Sequence, residues 1–261
     1  MRKRTLYALV GALTFLVSLV LLTPVASVYG WIKPKLGANF ELAGVDGSLR
    51  EGSAAAVVVG GRPLVERLHW KLSLAELLLL RVGADLDSSG SLLLSGHVSK
   101  GFNTVRASDL RVASGLKPLL AAFGQPFAPL DGQANLELTH LKLLGNWPVD
   151  ADGTLRVQGL AWTLAKEPIV LGDYEATISR EGSDIVALVH TLRGALEVNG
   201  DARTHQDRSY EMHLQLRPKA DAPPLVQNLL RSLGEPDPQG YYHLRKQGKP
   251  AEPPAEAPAT P

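Results

Sequence analysis

Seven histidines are the side chains of this sequence best suited to exchange a proton near neutral pH: His69, His97, His140, His190, His205, His213 and His243. A zinc protease sets two histidines around a glutamate on one helix face, and no H-E-x-x-H spacing occurs. His69, His213 and His243 fall instead on the polar side of alternating segments, where a solvated or hydrogen-bonded imidazole is expected. Paired carboxylates serve general acid–base work. Asp85 and Asp87, however, sit beside Ala84 and Leu86, so both project from the wet face of a strand. No G-x-S-x-G elbow, P-loop or Rossmann glycine pattern is present. The chain has 0 cysteines, which removes thiol nucleophiles, disulfides and thiolate metal sites together. No catalytic, cofactor-binding or metal-ligating residue is expected. The chain is read as a non-enzyme that works without a cofactor.

The formal net charge of +1 leaves no electrostatic footprint for nucleic acid. A length of 261 residues, 45% hydrophobic and 20% charged, allows one large globular domain or two small ones. The N-terminus departs from that ordinary composition. Arg2, Lys3 and Arg4 precede the uncharged run Leu6 to Leu22, and no charge follows until after Trp31. A bilayer core needs roughly 20 helical residues, and basic flanks stay in the cytoplasm. This predicts a cytoplasmic basic end over 1–5, a single transmembrane signal anchor over 6–31 with Tyr29 and Trp31 at the interface, and a body over 32–248 outside the cytoplasm. Cleavage after Val25-Ala26-Ser27 is the other reading. The apolar run exceeds the roughly 7–15 residues of a signal peptide, which favours the anchor.

The elements that carry the histidines show a period of two. In "SYEMHLQLR", Tyr210, Met212, Leu214 and Leu216 share one face, and Glu211, His213, Gln215 and Arg217 the other. "GTLRVQG", "YEATISR" and "GALEVNG" alternate likewise. In "ERLHWKLS", Leu68, Trp70 and Leu72 point inward while His69 and Lys71 face water or a partner. Trp70, Trp147 and Trp162 are assigned to packing before ligand stacking. Asp46-Gly47, Asp131-Gly132 and Asp152-Gly153 read as hairpin turns. In "DGQANLELTHLKLLG" the apolar set shifts from Ala134, Leu136 and Leu138 to Leu141 and Leu143, so a bulge or sheet change is expected at His140.

Three stretches, "SLAELLLLR", "GLKPLLAAFG" and "PPLVQNLLRSLG", carry helical spacing. The fold class is therefore mainly β: a transmembrane helix, then a large, curved antiparallel sheet with a few short helices. "LLAAFGQP" parallels "LLRSLGEP", and "VDGSLR" parallels "ADGTLR" in the same order, so similar halves over 40–144 and 145–248 stand against chance recurrence of leucine-rich strings. The tail 249–261 is rich in proline and alanine, has nothing to bury and is expected to be disordered.

Three stretches together, "GVDGSLREGSA", "LVERLHWKLSLAELLLLRVGADL" and "LLRSLGEPDPQGYYHLRKQG", resemble the type II secretion system protein N family, also called general secretion pathway protein N. The features that carry the resemblance are Gly47, Gly52 and Ala54 in close spacing, the tryptophan strand running into Leu77–Leu79, and the closing Leu233-Gly234, Pro236 and Gly240. The resemblance covers the chain from the anchor to about residue 248. Family members often carry proline near Ser73, so this strand-to-helix corner departs from the pattern.

The resemblance implies a non-enzymatic accessory in the inner membrane of Gram-negative bacteria, with its main domain in the periplasm. Its implied partners are other type II secretion components or secreted protein cargo. The architecture also resembles the β-groove proteins of the AsmA class, which implies the alternative of a protein that binds or conducts lipid between membranes. An open, continuously apolar sheet face would separate that alternative from a filled core.

Overall fold

The computed structural model describes Ser18 and residues 23–33, 40–79, 81–122, 124–164, 166–220 and 222–249. Thirteen strands form one antiparallel sheet in which spatial order equals chain order. In sequence they are β1 (Phe40–Gly47), β2 (Glu51–Val59), β3 (Arg62–Leu72), β4 (Val82–Ser89), β5 (Leu92–Lys100), β6 (Thr104–Gly115) and β7 (Leu130–Leu144). There follow β8 (Trp147–Trp162), β9 (Ile169–Glu181), β10 (Asp184–Arg193), β11 (Leu196–Thr204), β12 (Tyr210–Pro218) and β13 (Tyr242–Gly248). The short helices are α1 (Val25–Ile32), α2 (Leu74–Leu78), α3 (Leu116–Ala122) and α4 (Pro224–Arg231). Among the described residues β1 pairs only with β2 and β13 only with β12, so the sheet is open. Strict alternation of strand direction gives it two rims. The lower rim holds the β1–β2 turn and α2; the upper rim holds α3 and α4.

The three segments with helical spacing are helices, and the alternating segments are strands. The phase slip at His140 is a β-bulge: Leu138 faces Gly153 and His140 faces Asp152, leaving Thr139 as the extra residue. Leu138 and Leu141 consequently stay on one face despite their odd separation. A neighbouring bulge on β6 carries Asp109 at φ 51, and one on β3 carries Arg67 at φ 48.

The Asp-Gly pairs require correction. Asp46-Gly47 does end a strand at a turn, but Asp131-Gly132 lies at the start of β7 and Asp152-Gly153 in the middle of β8, each beside a register shift. Gly153 is needed there because a Cβ would lie 2.8 Å from the Leu138 Cα. A bulge and a turn demand the same small residue, so the dipeptide alone does not distinguish them.

The expected anchor also changes at its end. Residues 25–32 form α1, packed along β1, with the Tyr29 hydroxyl accepting a hydrogen bond from the Leu42 N–H at 2.7 Å. Tyr29 is thus tied by its hydroxyl to the edge of β1. Pro24, extended at φ −60 and ψ 132, starts this helix afresh and bridges Ser48. The run Leu6–Leu22 lies, apart from Ser18, outside the described residues, as does the tail from residue 250. No helix among the described residues is long and apolar enough to cross a membrane.

Trp70 is half-buried and rests on Gly52, where a Cβ would come within 2.5 Å of the indole, and its Nε1–H donates to the Leu49 carbonyl at 3.3 Å. His69 and Lys71 are exposed as expected. At the Ser73 corner the backbone N–H donates to the Gly83 carbonyl at 2.8 Å, a bond that a proline in this position would forfeit.

Buried side chains gather in two clusters near the upper rim. One joins Val57, Val65 and Leu92, with Val112 and Leu119 of α3 packed against them. The other joins Leu171, Leu196 and Tyr242 with Val226 and Leu230 of α4, and Trp162 packs against it. Of the leucine stripe on α4, Val226 and Leu230 are buried, whereas Leu225 and Leu233 are 48% and 43% exposed. The Pro224 start and Arg231 in the last turn suit both helix ends. We expect Leu230→Ala to lower unfolding stability by about 2–4 kcal/mol, as core truncations do, while Leu225→Ala leaves it nearly unchanged; denaturant melts of the two variants measure the difference.

Candidate functional site

Residues directly opposite in an antiparallel ladder share a face. Leu94 of β5 faces Val112 of β6, which faces Leu136 of β7 and then Leu155 of β8. The same row continues through Ala176, Val189, Gly200 and Leu214 to Leu244 on β13. A second row runs beside it from Leu110 through Leu138, Gly153, Ile178, Ala187 and Ala202 to Met212. Two adjacent rows on one face are thus apolar, the first from β5 to β13 and the second from β6 to β12, where Met212 faces Lys246 of β13.

The opposite face is polar at the same height. Between the two apolar rows run Ser95, Arg111, Glu137, Thr154 and Thr177, then Leu188, Asp201, His213 and Arg245. Leu188, 49% exposed, interrupts an otherwise polar row. Ion pairs tie this side together: Arg156 with Glu175 at 2.5 Å, and Arg217 with Glu197 at 2.6 Å. Arg217 also stacks 4.3 Å from the Tyr241 ring centroid.

No second layer of the described residues covers the apolar rows. α3 and α4 pack near the upper rim, and every side chain of the Leu94–Leu244 row is half-buried. The sheet also bends. The Trp147 indole N–H at the start of β8 donates to the His205 carbonyl just past β11, at 2.9 Å. Three strand spacings on a flat sheet would separate those strands by about 14 Å, beyond the reach of an indole.

The two margins differ. α1 lies along β1, and the Tyr29 hydroxyl takes the Leu42 amide, so that margin is occupied. β13 presents His243, Arg245 and Lys246 at the other margin, and among the described residues no further strand lies beyond it.

Five of the seven histidines, all but His69 and His213, lie against carboxylates. His140 bonds Asp150 at 3.2 Å, His205 bonds Asp184 at 2.9 Å and His243 bonds Asp237 at 2.8 Å. Among the described residues no group of three or more such side chains is disposed to hold a metal ion. His97 is the most constrained, with Nδ1 2.8 Å from Asp85 and Nε2 2.9 Å from Glu76 of α2. The pairing with Glu76 was not legible in sequence, because it joins a helix to a strand across 21 positions. Glu76 rests over Gly83, and its Oε2 is buried without a partner. Asp87 remains exposed beside this clamp. At the upper rim a cavity of about 840 Å3 lies between the β2–β3 turn, α3 and the β8–β9 loop, walled by Leu64, Pro118, Phe127 and Leu164. Tyr174 donates its hydroxyl to the Leu196 carbonyl at 3.0 Å, and burial pushes its pKa up. Asp173 is held below the usual carboxylate range, first by the Gly159 N–H and then by Arg193. These groups pin strands to one another.

Hydrogen bonds to Asp85 and then to Glu76 raise the His97 pKa above its ordinary 6.5. A raised folded value means that the clamp stabilises fully below the unfolded value and weakens as pH climbs through the folded one. We expect the gap in melting temperature between wild type and His97→Gln to be widest near pH 5.5, about one unit below that ordinary value, and to close on the alkaline side. Paired thermal melts across pH test this, and a gap independent of pH contradicts it.

A sequence profile described as "Type II secretion system (T2SS), protein N" matches residues 38–245. A protein named type II secretion system protein N from Vibrio cholerae serotype O1 is 28% identical over 225 residues, covering 82% of this chain and 86% of that one. Its namesake from Aeromonas hydrophila is 27% identical over 214 residues, covering 80% and 84% respectively. No solved structure matches the chain. The matched span runs from just before β1 into β13 and so takes in both apolar rows, the His97 clamp and α4; this chain belongs to the type II secretion system protein N family.

Proposed function

We propose that this chain is a non-catalytic component of type II secretion, tethered in the inner membrane by residues 6–22 and acting in the periplasm through contacts made by its sheet. The carrying observation is the pair of faces: a continuous apolar row on one side and a polar, ion-paired face on the other. Such a surface works by complementarity. Arg2, Lys3 and Arg4 before the charge-free run support a cytoplasmic N-terminus. The partners in this reading are other secretion components or exported cargo. The halves 40–144 and 145–248 would each contribute one upper-rim helix and one buried cluster to the shared sheet. Photocrosslinkers at Thr177 and Leu188 on the polar face, and at Leu136 on the apolar face, test it in secreting cells. Adducts with another secretion component or with cargo are expected, and their absence from all three positions would sink the reading.

A second reading follows from one observation: the Leu94–Leu244 row is apolar over nine strands yet only half-buried. Apolar surface of that extent is costly in water. Acyl chains of a lipid would lie across it without needing a polar partner. Under this reading, native mass spectrometry of the chain released from detergent retains a bound lipid, and Leu136→Glu with Leu155→Glu abolishes the adduct. A lipid-free spectrum for the unaltered chain contradicts it.

A further inference from the structure

The lower rim carries a patch that neither the apolar rows nor the polar network uses. Leu79 and Val82 flank the α2–β4 connection, Phe102 caps the β5–β6 loop and Leu144 ends β7; they are 67%, 53%, 106% and 43% exposed. They are neighbours. Val82 faces Lys100, Thr104 faces Leu144, and the Gly145 N–H donates to the Asn103 carbonyl at 3.0 Å. The Arg81 stem lies beside Gly101 in the same loop cluster. Segments 79–82, 100–104 and 144–147 contain Arg81 and Lys100 and no acidic residue.

The chain outside the described body arrives at this same rim. The Thr23 carbonyl accepts the Leu49 N–H at 3.1 Å and Pro24 bridges Ser48, both at the β1–β2 turn. The charge-free run Leu6–Leu22 therefore ends at the edge that displays Phe102 and Leu144. The upper rim also exposes apolar side chains, Phe127 and Leu164 among them. Its connections include Glu167 and Glu235, and on the lower rim Glu181, Asp184 and Asp207 lie at the β9–β10 and β11–β12 turns; the three tips that carry the patch are the acid-free part of their rim, which an anionic surface does not repel.

We propose that the lower rim is a second membrane-contacting element: the α2–β4, β5–β6 and β7–β8 tips seat Leu79, Val82, Phe102 and Leu144 in the interface of an anionic phospholipid bilayer, with Arg81 and Lys100 at headgroup level. Exposed apolar side chains partition into the acyl boundary, and basic stems extend their charge to phosphates while burying their methylenes. A single apolar segment fixes position but leaves the body free to swing. Contacts at three loop tips fix its tilt as well, so the strands stand away from the bilayer with the upper rim outermost. This rests on the tether reading only for the side from which the rim approaches the bilayer.

The absence of cysteine makes the test direct. Phe102→Cys and, at the opposite rim, Phe127→Cys each carry one environment-sensitive fluorophore on the full-length chain, reconstituted in vesicles of phosphatidylethanolamine and phosphatidylglycerol with brominated acyl chains. The label at 102 should be blue-shifted and quenched and the label at 127 should not. Adding Arg81→Glu and Lys100→Glu, or replacing the lipids with phosphatidylcholine, should abolish the difference. No quenching at 102, equal quenching at both sites, or quenching confined to 127 overturns the proposal. Alkaline carbonate extraction of the same vesicles reads the tether separately: a retained chain without quenching at 102 removes the rim contact alone, and a released chain that had been quenched at 102 removes the tether alone.

Discussion

Everything in this molecule depends on keeping one set of side chains on one side of a single sheet. A strand turns successive residues to opposite faces, so an unmatched insertion anywhere would carry the rest of that strand's apolar side chains into the polar face. The protein absorbs its insertions locally. The extra residues at Asp109 and Thr139 fall on adjacent strands at facing positions, with Ser108 opposite His140 and Leu110 opposite Leu138. Leu110 and Ala107 on β6 therefore stay aligned with Leu138 and Leu141 on β7, and the rows cross both strands unbroken. Gly153 makes this possible from β8, where any larger residue would collide with the bulged backbone.

Stability in a one-layer architecture is concentrated, not spread. The two clusters of buried side chains gather where a short helix lies on the sheet, while Val186, Ala151 and Leu138 are buried by the strands themselves. α4 has two residues per turn-spaced pair, Val226 and Leu230, almost wholly removed from water. Around them the Asp173, Tyr174 and Glu197 bonds fasten the ends of β9 and β11. The lower rim is held differently, by the His97 clamp on α2 and by the Trp147 indole. One rim is thus packed, and the other is pinned by polar bonds.

Much of this was legible in the chain. Alternation in "SYEMHLQLR" placed Tyr210, Met212, Leu214 and Leu216 on their face, and the slip at His140 marked its bulge, because periodicity is a local property. Roofing is not local. The pattern states which face is apolar and says nothing of whether another layer lies over it, so the half-buried state of Leu136 or Leu155 is a property of the fold and not of the strand's own residues. Asp152-Gly153 misled for a related reason, since glycine answers both to turns and to close backbone approach. Continuing an apolar helix through Pro24 to Trp31 ignored the proline's own signal and the strand that Tyr29 serves. The family resemblance rested on motifs that map onto the β1–β2 turn, the β3–α2 corner and the α4–β13 connection, three places where chain direction changes.

The helix laid along β1 has a further consequence. Head-to-tail growth of a sheet requires a donor margin on one copy and a receiving margin on the next, and α1 occupies one of the pair. Edge pairing along β1 would have to displace α1 and the Tyr29 bond to Leu42, whereas among the described residues no helix lies along β13. The two margins are therefore unequal as sites for strand addition, and the Arg245 and Lys246 side is the less encumbered one.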